Sequence, residues 1–443
     1  MPAISITEQE NEQNEIFDDL SDQFKKEEDR IDIEKLAALK AKIKAKENKM
    51  IKKDRSLQLG IVGTGQGGSR LSQAFYKLGY NAIAINTAMQ DLKYIELPES
   101  NKLLLEQIIG GCAKDLALGH EAAENNRDLI AEVINDKLQT SQVNILCSSL
   151  GGGSGSGSME TLVSILSDTG KPLVVICILP MTSEDLQNKI NSIETLSKLA
   201  KLVQSKKINN LLIVDNSKLE SIYSNVSQID FYDVANKNIV EIIDVFNTLS
   251  AMPSPIKALD SMEWSKLLLD GDGCSVYGEL TVKDYKEDTA IAEAVINNLD
   301  SNLLAEGFDL KQSKYVGFIV AANKNTWSKI PSTNINYASA MIDDICGSPK
   351  NIFKASYVVD SMKDDIVQIY SFFTGLNLPT TRLDHLKQEI QKNKQLASSK
   401  DENRVSNMQL NTGTHDTVSA AQKVRDRIAQ KSSALGKLID RRK

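Results

Sequence analysis

The feature that most limits what this chain can fold into is an eleven-residue run of glycine and serine, Ser148-Ser149-Leu150-Gly151-Gly152-Gly153-Ser154-Gly155-Ser156-Gly157-Ser158. An apolar run, Val143 to Cys147, precedes it and reads as a buried strand. Met159 to Leu166 follows and reads as a helix. Backbone without Cβ atoms can approach a ligand closely and aim several N–H groups at one point. The positive end of the following helix adds to the same field. A strand, a Gly/Ser turn and a helix start together predict an anion cradle, with phosphates the expected anions. The competing reading is a flexible linker. Linkers, however, do not sit between a buried strand and an amphipathic helix.

The rest of the chain sets wide bounds. Its 443 residues leave room for two or three domains and a sizeable core. No apolar run approaches the ~20 residues that span a bilayer, and the polar, acidic start is unlike a signal peptide. Five scattered cysteines without a CxxC pair, and only three histidines, argue against a zinc site and for reduced thiols in a cytosol. No metal-ligand set is assigned from the sequence. The net charge of −7 argues against wholesale nucleic-acid binding, but charge is unevenly placed. Residues 1 to about 30 are acidic and amide-rich, whereas Lys40, Lys42, Lys44, Lys46, Lys49, Lys52 and Lys53 crowd the next stretch at loose helical spacing with apolar residues. This reads as a partly helical extension, either solvated or docked on a neighbouring subunit.

The folded part is expected to begin with a strand at Leu57 to Val62, followed by Gly63-Thr64-Gly65-Gln66-Gly67-Gly68-Ser69-Arg70, a helix over Leu71 to Leu78 and a second strand over Ala82 to Asn86. That is a βαβ unit with a phosphate-type first turn. Gly63-x-Gly65-x-x-Gly68 alone is a weak dinucleotide fingerprint. A Rossmann enzyme would carry an acid at the end of the second strand, where this chain has Asn86-Thr87. It would also need one glycine turn, not two. No GK[ST] follows either run, so there is no Walker loop. Further on, a helix is expected over Gly119 to Leu138, a strand over Leu173 to Leu179, a helix capped by Thr182 or Ser183 and running through Leu202, and a strand over Asn210 to Val214. This alternation predicts a mainly parallel sheet covered on both faces.

At this point the motifs become specific. Gly151-Gly152-Gly153-Ser154-Gly155-Ser156-Gly157 resembles the GGGTGSG signature of the tubulin/FtsZ superfamily of self-assembling GTPases, with Ser154 in place of threonine. Gly65-Gln66-Gly67-Gly68 resembles the GQGG first loop of its plasmid- and phage-encoded TubZ branch. Asn86-Thr87 is similar to the second loop, Gly110-Gly111-Cys112-Ala113 to the third, γ-phosphate-sensing loop, and Leu179-Pro180 through Glu184-Asp185 to the TubZ fifth loop. The resemblance covers roughly residues 56 to 378 and implies a GTP-binding parallel α/β domain, a long central helix and a smaller C-terminal α/β domain.

It also implies residue roles. The loops at 63–69, 110–113 and 151–157 would hold the phosphates of GTP or GDP, with Mg²⁺. Asp233 to Ser250 has the apolar spacing of a long helix. At its start Tyr232 and Asn236 fall on one face, where the family stacks an aromatic ring on guanine and reads its edge with an amide. Asn216 is a further candidate there. In Ala258-Leu259-Asp260-Ser261-Met262-Glu263, the acids Asp260 and Glu263 match the spacing of the pair that, in the family, reaches the nucleotide of the next subunit. The competing reading is two exposed acids at a helix start. The chain departs from the cell-division form at Ala88, at Ala258, at Gln90, which is one place off, and near Asn188, where a basic residue has no counterpart.

The expected organisation is a charged extension over 1–55, a GTP-binding domain over 56–228, a central helix over 229–252, a C-terminal domain over 253–378 and a helix with a basic tail over 379–443. In the C-terminal domain, strands are expected at Val276 to Val282, Tyr315 to Ala321 and Ile366 to Phe373, with helices at Thr289 to Leu304 and Ala338 to Cys346. Phe373-Thr374-Gly375-Leu376 resembles the family's last-strand region. Leu383 to Leu396 reads as a helix, Ala397 to Thr417 as a disordered linker, and Val418 to Lys443 as a basic tail suited to DNA or a DNA-bound adaptor. The resemblance implies a head-to-tail homopolymer that hydrolyses GTP between subunits. It would move or position plasmid or phage DNA in the cytoplasm of a bacterial cell or phage-infected host. Two alternatives stay open: a cell-division protein like FtsZ, although no short apolar anchor peptide is evident at the C-terminus, and a non-hydrolysing structural protein of the same fold. A Rossmann oxidoreductase is the third rival.

Overall fold

The computed structural model describes residues 54–105, 110–227, 230–301 and 304–406. The charged extension up to residue 53 and the basic tail lie outside the described residues. Two compact units are present: one ends at Leu383, and the other contains the helical residues from Asp384 to Ser406.

The chain runs β1 (Leu59–Thr64), α1 (Gly65–Lys77), β2 (Asn81–Asn86), β3 (Lys102–Leu104), α2 (Leu116–Asn125), α3 (Arg127–Lys137), β4 (Val143–Ser149), α4 (Gly153–Asp168), β5 (Leu173–Leu179), α5 (Leu186–Gln204), β6 (Asn210–Asp215), α6 (Asn216–Ile222) and α7 (Phe231–Leu249). It continues with α8 (Ser261–Leu269), β7 (Gly273–Val282), α9 (Ala290–Ser301), β8 (Tyr315–Ala322), α10 (Ser332–Ile345), β9 (Asn351–Val358), β10 (Val367–Leu376) and α11 (Thr380–Ser406). Short helices at Met89–Lys93 and Lys324–Trp327 complete the main elements.

All ten strands join one sheet in the order β3-β2-β1-β4-β5-β6-β7-β10-β8-β9. Pairing is parallel from β3 through β7 and antiparallel on both sides of β10, and β8 and β9 are again parallel. The strands expected of two domains therefore share a sheet, joined where Asn210 to Leu212 pair with Gly273 to Ser275. Every residue of β1, β5 and β6 is buried, as expected of parallel strands covered on both faces.

The sheet order reverses between β1 and β4. A crevice opens at such a reversal, beyond the carboxyl ends of the strands. Register aligns the two ends, Thr64 opposite Ser148, so both glycine loops leave the sheet side by side.

Helix α7 spans the molecule from this edge to the other. Its 19 residues extend about 28 Å at 1.5 Å per residue. Near its end, Asn247 accepts from Leu57 N–H at 2.8 Å and donates to Leu57 C=O at 2.9 Å, just before β1 begins. Asp244 there pairs with Arg55 at 2.8 Å and accepts from the Tyr80 hydroxyl at 2.9 Å. Phe246, Trp264, Phe372 and Tyr277 form an aromatic cluster with neighbouring centroids 5.2–5.6 Å apart, locking α7 and α8 onto the later strands.

Several element boundaries differ from expectation. Helix α1 begins at Gly65 and α4 at Gly153, inside the glycine runs rather than after them. The single helix expected over Gly119 to Leu138 is two, broken at Asn126. Helix α5 is capped by Asp185, not Thr182 or Ser183: the carboxylate accepts from Asn188 N–H at 3.1 Å. Strand β9 has no counterpart in the sequence reading. Helix α11 continues to Ser406, into the stretch read as a disordered linker.

Candidate functional site

A cavity of about 620 Å³ occupies the crevice. Its walls are the loops expected to converge: Gly65, Gln66 and Gly67; Asn86; Gly110, Gly111, Cys112 and Ala113; Gly151, Gly152, Gly153, Ser154 and Gly155; and Glu184, Asn216, Tyr232 and Asn236. Gly68 and Ser156 stand behind the wall. A Cβ on Gly68 would lie 2.1 Å from the Cys147 carbonyl oxygen, and Ser156 Oγ donates to Ser149 C=O at 3.2 Å. Both hold the loops against the sheet rather than lining the cavity.

The glycines divide by what demands them. Added Cβ atoms on Gly153, Gly155 and Gly157 would fall within 2.7 Å of Cys112, Ser148 and Leu116, so these three serve close packing of α4 against its neighbours. Gly65, Gly110 and Gly111 have positive φ. Gly152 is different. Its φ is −83°, and a Cβ there would meet nothing within 4 Å. Neither conformation nor protein packing accounts for it, whereas a ligand lying against the backbone does.

Electrostatics agree. The N-terminal N–H groups of a helix lack intrahelical acceptors. Around this cavity α2, α5 and α6 cap theirs with Asp115, Asp185 and Asp215. Helices α1 and α4 have no side-chain cap, and both begin in the cavity wall. These two helix starts, at the glycine loops, are left with donors for an anion, and α7 at the cavity's other end likewise has no side-chain cap.

The loops are tied together. Thr87 Oγ1 contacts Ser154 Oγ and lies 3.3 Å from Cys112 Sγ, joining three of them. Asn191 Nδ2 donates to Lys114 C=O at 2.8 Å and to Gly151 C=O at 3.0 Å. Asp91 accepts from Gln66 at 3.2 Å and from Asn86 at 3.0 Å. Glu184 accepts from Met181 N–H at 2.9 Å and from Asn188 at 2.5 Å.

At the other end Tyr232 and Asn236 project from the first turns of α7, with Asn216 opening α6. The Asn236 side chain is buried, yet neither it nor Asn216 hydrogen-bonds to any described residue. Asn236 turns its amide to the cavity and Asn216 is half-exposed beside it, so the pair offers donors and acceptors to a ligand's polar edge. The Arg70 guanidinium covers Tyr232 at 4.4 Å from the ring centroid. Arg70, Asp91, Lys114 and Asn188 line the cavity but were not legible as site residues in the sequence. The one available signal, for Arg70, was its place one turn into α1.

These observations match known proteins. Residues 47–224 match the Tubulin/FtsZ family, GTPase domain, and residues 257–380 match the Tubulin-like protein TubZ, C-terminal domain. The chain belongs to the tubulin/FtsZ superfamily. It is a GTPase of the TubZ-like kind, and GTP and GDP are its nucleotides. It is 28% identical over 263 residues to the tubulin-like protein CetZ of Pyrococcus abyssi, covering 58% of this chain and 70% of that protein. It is 23% identical over 387 residues to TubZ of Bacillus cereus, covering 80% and 87%. The fold is similar to a GTPγS-form protofilament of Bacillus thuringiensis serovar israelensis TubZ, with a TM-score of 0.68 at 18% identity over 80% of this chain and 95% of that one.

Asp260 and Glu263, whose spacing resembles that of the family's acid pair, do not line the cavity. Asp260 caps α8, accepting from Glu263 N–H at 2.8 Å, and Glu263 Oε2 accepts from Asp260 N–H at 3.1 Å. Their neighbour Ser261 bonds Ser56 at 2.9 Å, ahead of β1, at the sheet edge remote from the cavity. Among the described residues no cluster of three or more His, Cys, Asp or Glu could hold a metal by itself, and no helix is long and apolar enough to cross a membrane. All five cysteines are buried free thiols.

Proposed function

We propose that the chain is a GTP-dependent polymerising protein whose subunits stack head to tail and hydrolyse GTP between them. One observation carries this reading: the cavity lies at the first turns of α7, and the acids lie beyond its other end, where Ser261 bonds Ser56, with a helix about 28 Å long between. A single subunit cannot bring them together, whereas stacking brings the acids of one copy to the cavity of the next. Solved TubZ structures are protofilaments and filaments, which supports the same arrangement.

In this reading the glycine loops and the uncapped starts of α1 and α4 hold the phosphates. Tyr232, Asn236 and Asn216 hold guanine, where an amide offers both a donor and an acceptor. Glu184 stands in the same wall, held by Met181 N–H and Asn188. Mg²⁺ binds few protein ligands and prefers phosphate oxygens and water, which fits a wall whose described residues offer only Asp91 and Glu184 as carboxylates. Bound with GTP, it would neutralise charge on the phosphates. Asp260 and Glu263 of the adjoining copy then position the attacking water. Phosphoryl transfer depends on such placement more than on covalent help, so turnover follows assembly.

The cellular role proposed is segregation or positioning of plasmid or phage DNA in the bacterial cytoplasm, with the basic C-terminal tail engaging DNA or a DNA-bound adaptor. The reciprocal cap between Asp260 and Glu263 supplies an alternative role for these two residues, a purely structural one, because it explains their spacing without catalysis. Phosphate release across a protein concentration series, with light scattering on the same samples, separates the two. Specific activity rising together with scattering supports the split site. Assembly on GTP without turnover supports the structural role.

A further inference from the structure

We propose that Arg382 is a positioning residue for base recognition: its guanidinium grips the residues on either side of Asn216 and so fixes that amide in the cavity wall. This rests on the reading that Asn216 meets the base, and adds to it a residue behind the wall. Arg382 belongs to the same compact unit as the cavity but does not line it. It is buried, with 5% of its surface exposed.

The Asn216 side chain lines the cavity and hydrogen-bonds to no other described residue. Among them, its place is therefore set by the main chain on either side. Arg382 holds both sides. Its Nε stands 2.9 Å from the Asp215 carboxylate, and its Nη2 donates to Ser217 Oγ at 3.2 Å. The same Nη2 donates to Pro180 C=O at 2.9 Å. Pro180 follows β5 and is itself part of the cavity wall. Ser217 Oγ in turn accepts from Thr182 N–H at 2.9 Å. One guanidinium thus fastens the turn after β5 to the turn after β6, where Asn216 enters the wall. Stability alone is a poor account of this pair. Burial raises the Asp215 carboxyl pKa even against the pull of Arg382, and a buried ion pair is often no more stabilising than apolar side chains of the same volume. The choice of arginine also has a reason. Its planar fork reaches several acceptors in fixed geometry, whereas a lysine ammonium is a compact point charge on a flexible stem.

The test is a double-mutant cycle on the full chain, read as GDP affinity by calorimetry, with the melting temperature of each protein measured without nucleotide. Asn216→Ala is expected to weaken GDP about ten-fold, the loss of one hydrogen-bonding group. Arg382→Lys keeps a cation opposite Asp215 but loses the fork, and weakens GDP several-fold. The double variant binds GDP no more weakly than Asn216→Ala alone, because Arg382 acts through that amide. If the two losses multiply, or if Arg382→Lys binds GDP as the wild type does, the positioning role is overturned and Arg382 serves packing only. Should Arg382→Lys fail to fold, Ser217→Ala takes its place in the cycle, since it frees one side of Asn216 without stranding a charge; the same two outcomes decide. GDP binding unchanged in Asn216→Ala overturns the reading of Asn216 itself, and this inference with it.

Discussion

The two meanings of Asp260 and Glu263 are separable, because capping needs an acceptor and catalysis needs charge. Replacing Asp260 by alanine removes the cap of α8 and costs about 1 kcal/mol. Helix α8 buries Trp264, Leu267 and Leu268, so that cost falls on the main core. Asparagine caps about as well as aspartate, and glutamine serves the reciprocal bond as glutamate does. Asp260→Asn and Glu263→Gln therefore leave the melting temperature nearly unchanged, whereas Asp260→Ala lowers it by a few degrees at most. If the carboxylates position the attacking water, both amide variants lose on the order of 100-fold or more in turnover. They still bind GTP and still scatter light.

A complementation experiment then asks whose site the acids complete. Asp260→Asn keeps its cavity, and Asn236→Leu keeps its acids. In a mixture of the two, some head-to-tail contacts pair an intact cavity with intact acids, and turnover reappears above the sum of the separate variants. Wild-type turnover in Asp260→Asn refutes the catalytic role and leaves the cap as the whole explanation. Loss of turnover without recovery in a mixture shown to co-assemble refutes the split site.

Gly152→Ala is expected to fold with unchanged stability, since the new methyl meets no protein atom within 4 Å, yet to lose nucleotide affinity. Gly68→Ala, 2.1 Å from a backbone oxygen, fails at folding instead; comparing melts with nucleotide binding checks both. Asn236→Leu, made to an amide with no partner among the described residues, leaves apo stability unchanged or raised while weakening GTP about ten-fold, readable by calorimetry. Arg382→Met strands Asp215, its buried partner at 2.9 Å, and is expected to cost about 3–5 kcal/mol in denaturant unfolding. Burial already raises the Asp215 carboxyl pKa against the pull of Arg382. In the variant the fold then holds a proton that the unfolded chain releases, so stability falls as pH rises through the interval between the unfolded and folded values. The defect is therefore smaller at pH 5 than at pH 8.

Legibility followed how locally each feature is encoded. Leu173 to Leu179 matched β5 residue for residue, because a seven-residue apolar run held between Pro172 and Pro180 has the length of a buried strand and is too short for a helix. Strand β9 was missed for the opposite reason. Lys354 and Ser356 interrupt its apolar residues, and its partner β8 lies more than 25 residues earlier in the chain. The helix starts at Gly65 and Gly153 were hidden by the low helix propensity of glycine, which tertiary contacts overrule. The glycine run pointed to the right place for a partly wrong reason: Gly153, Gly155 and Gly157 answer to packing, and Gly152 alone answers to a ligand.

Asp91, Lys114 and Asn188 reach the cavity through the fold, with no spacing to announce them. Asp260 and Glu263 are the harder case, because their spacing was legible and ambiguous at once. An acid at a helix start followed three residues later by Glu is also a recipe for a capping box, and this chain uses it as one. The same geometry that satisfies the helix start fixes both carboxylates at the sheet edge remote from the cavity, with Asp260 exposed and Glu263 half-exposed there. A cap that holds acids rigid on an outer face is also what a site completed by the next subunit would need, so finding the cap leaves the catalytic reading standing. Charge, which capping does not require, is the property that separates them.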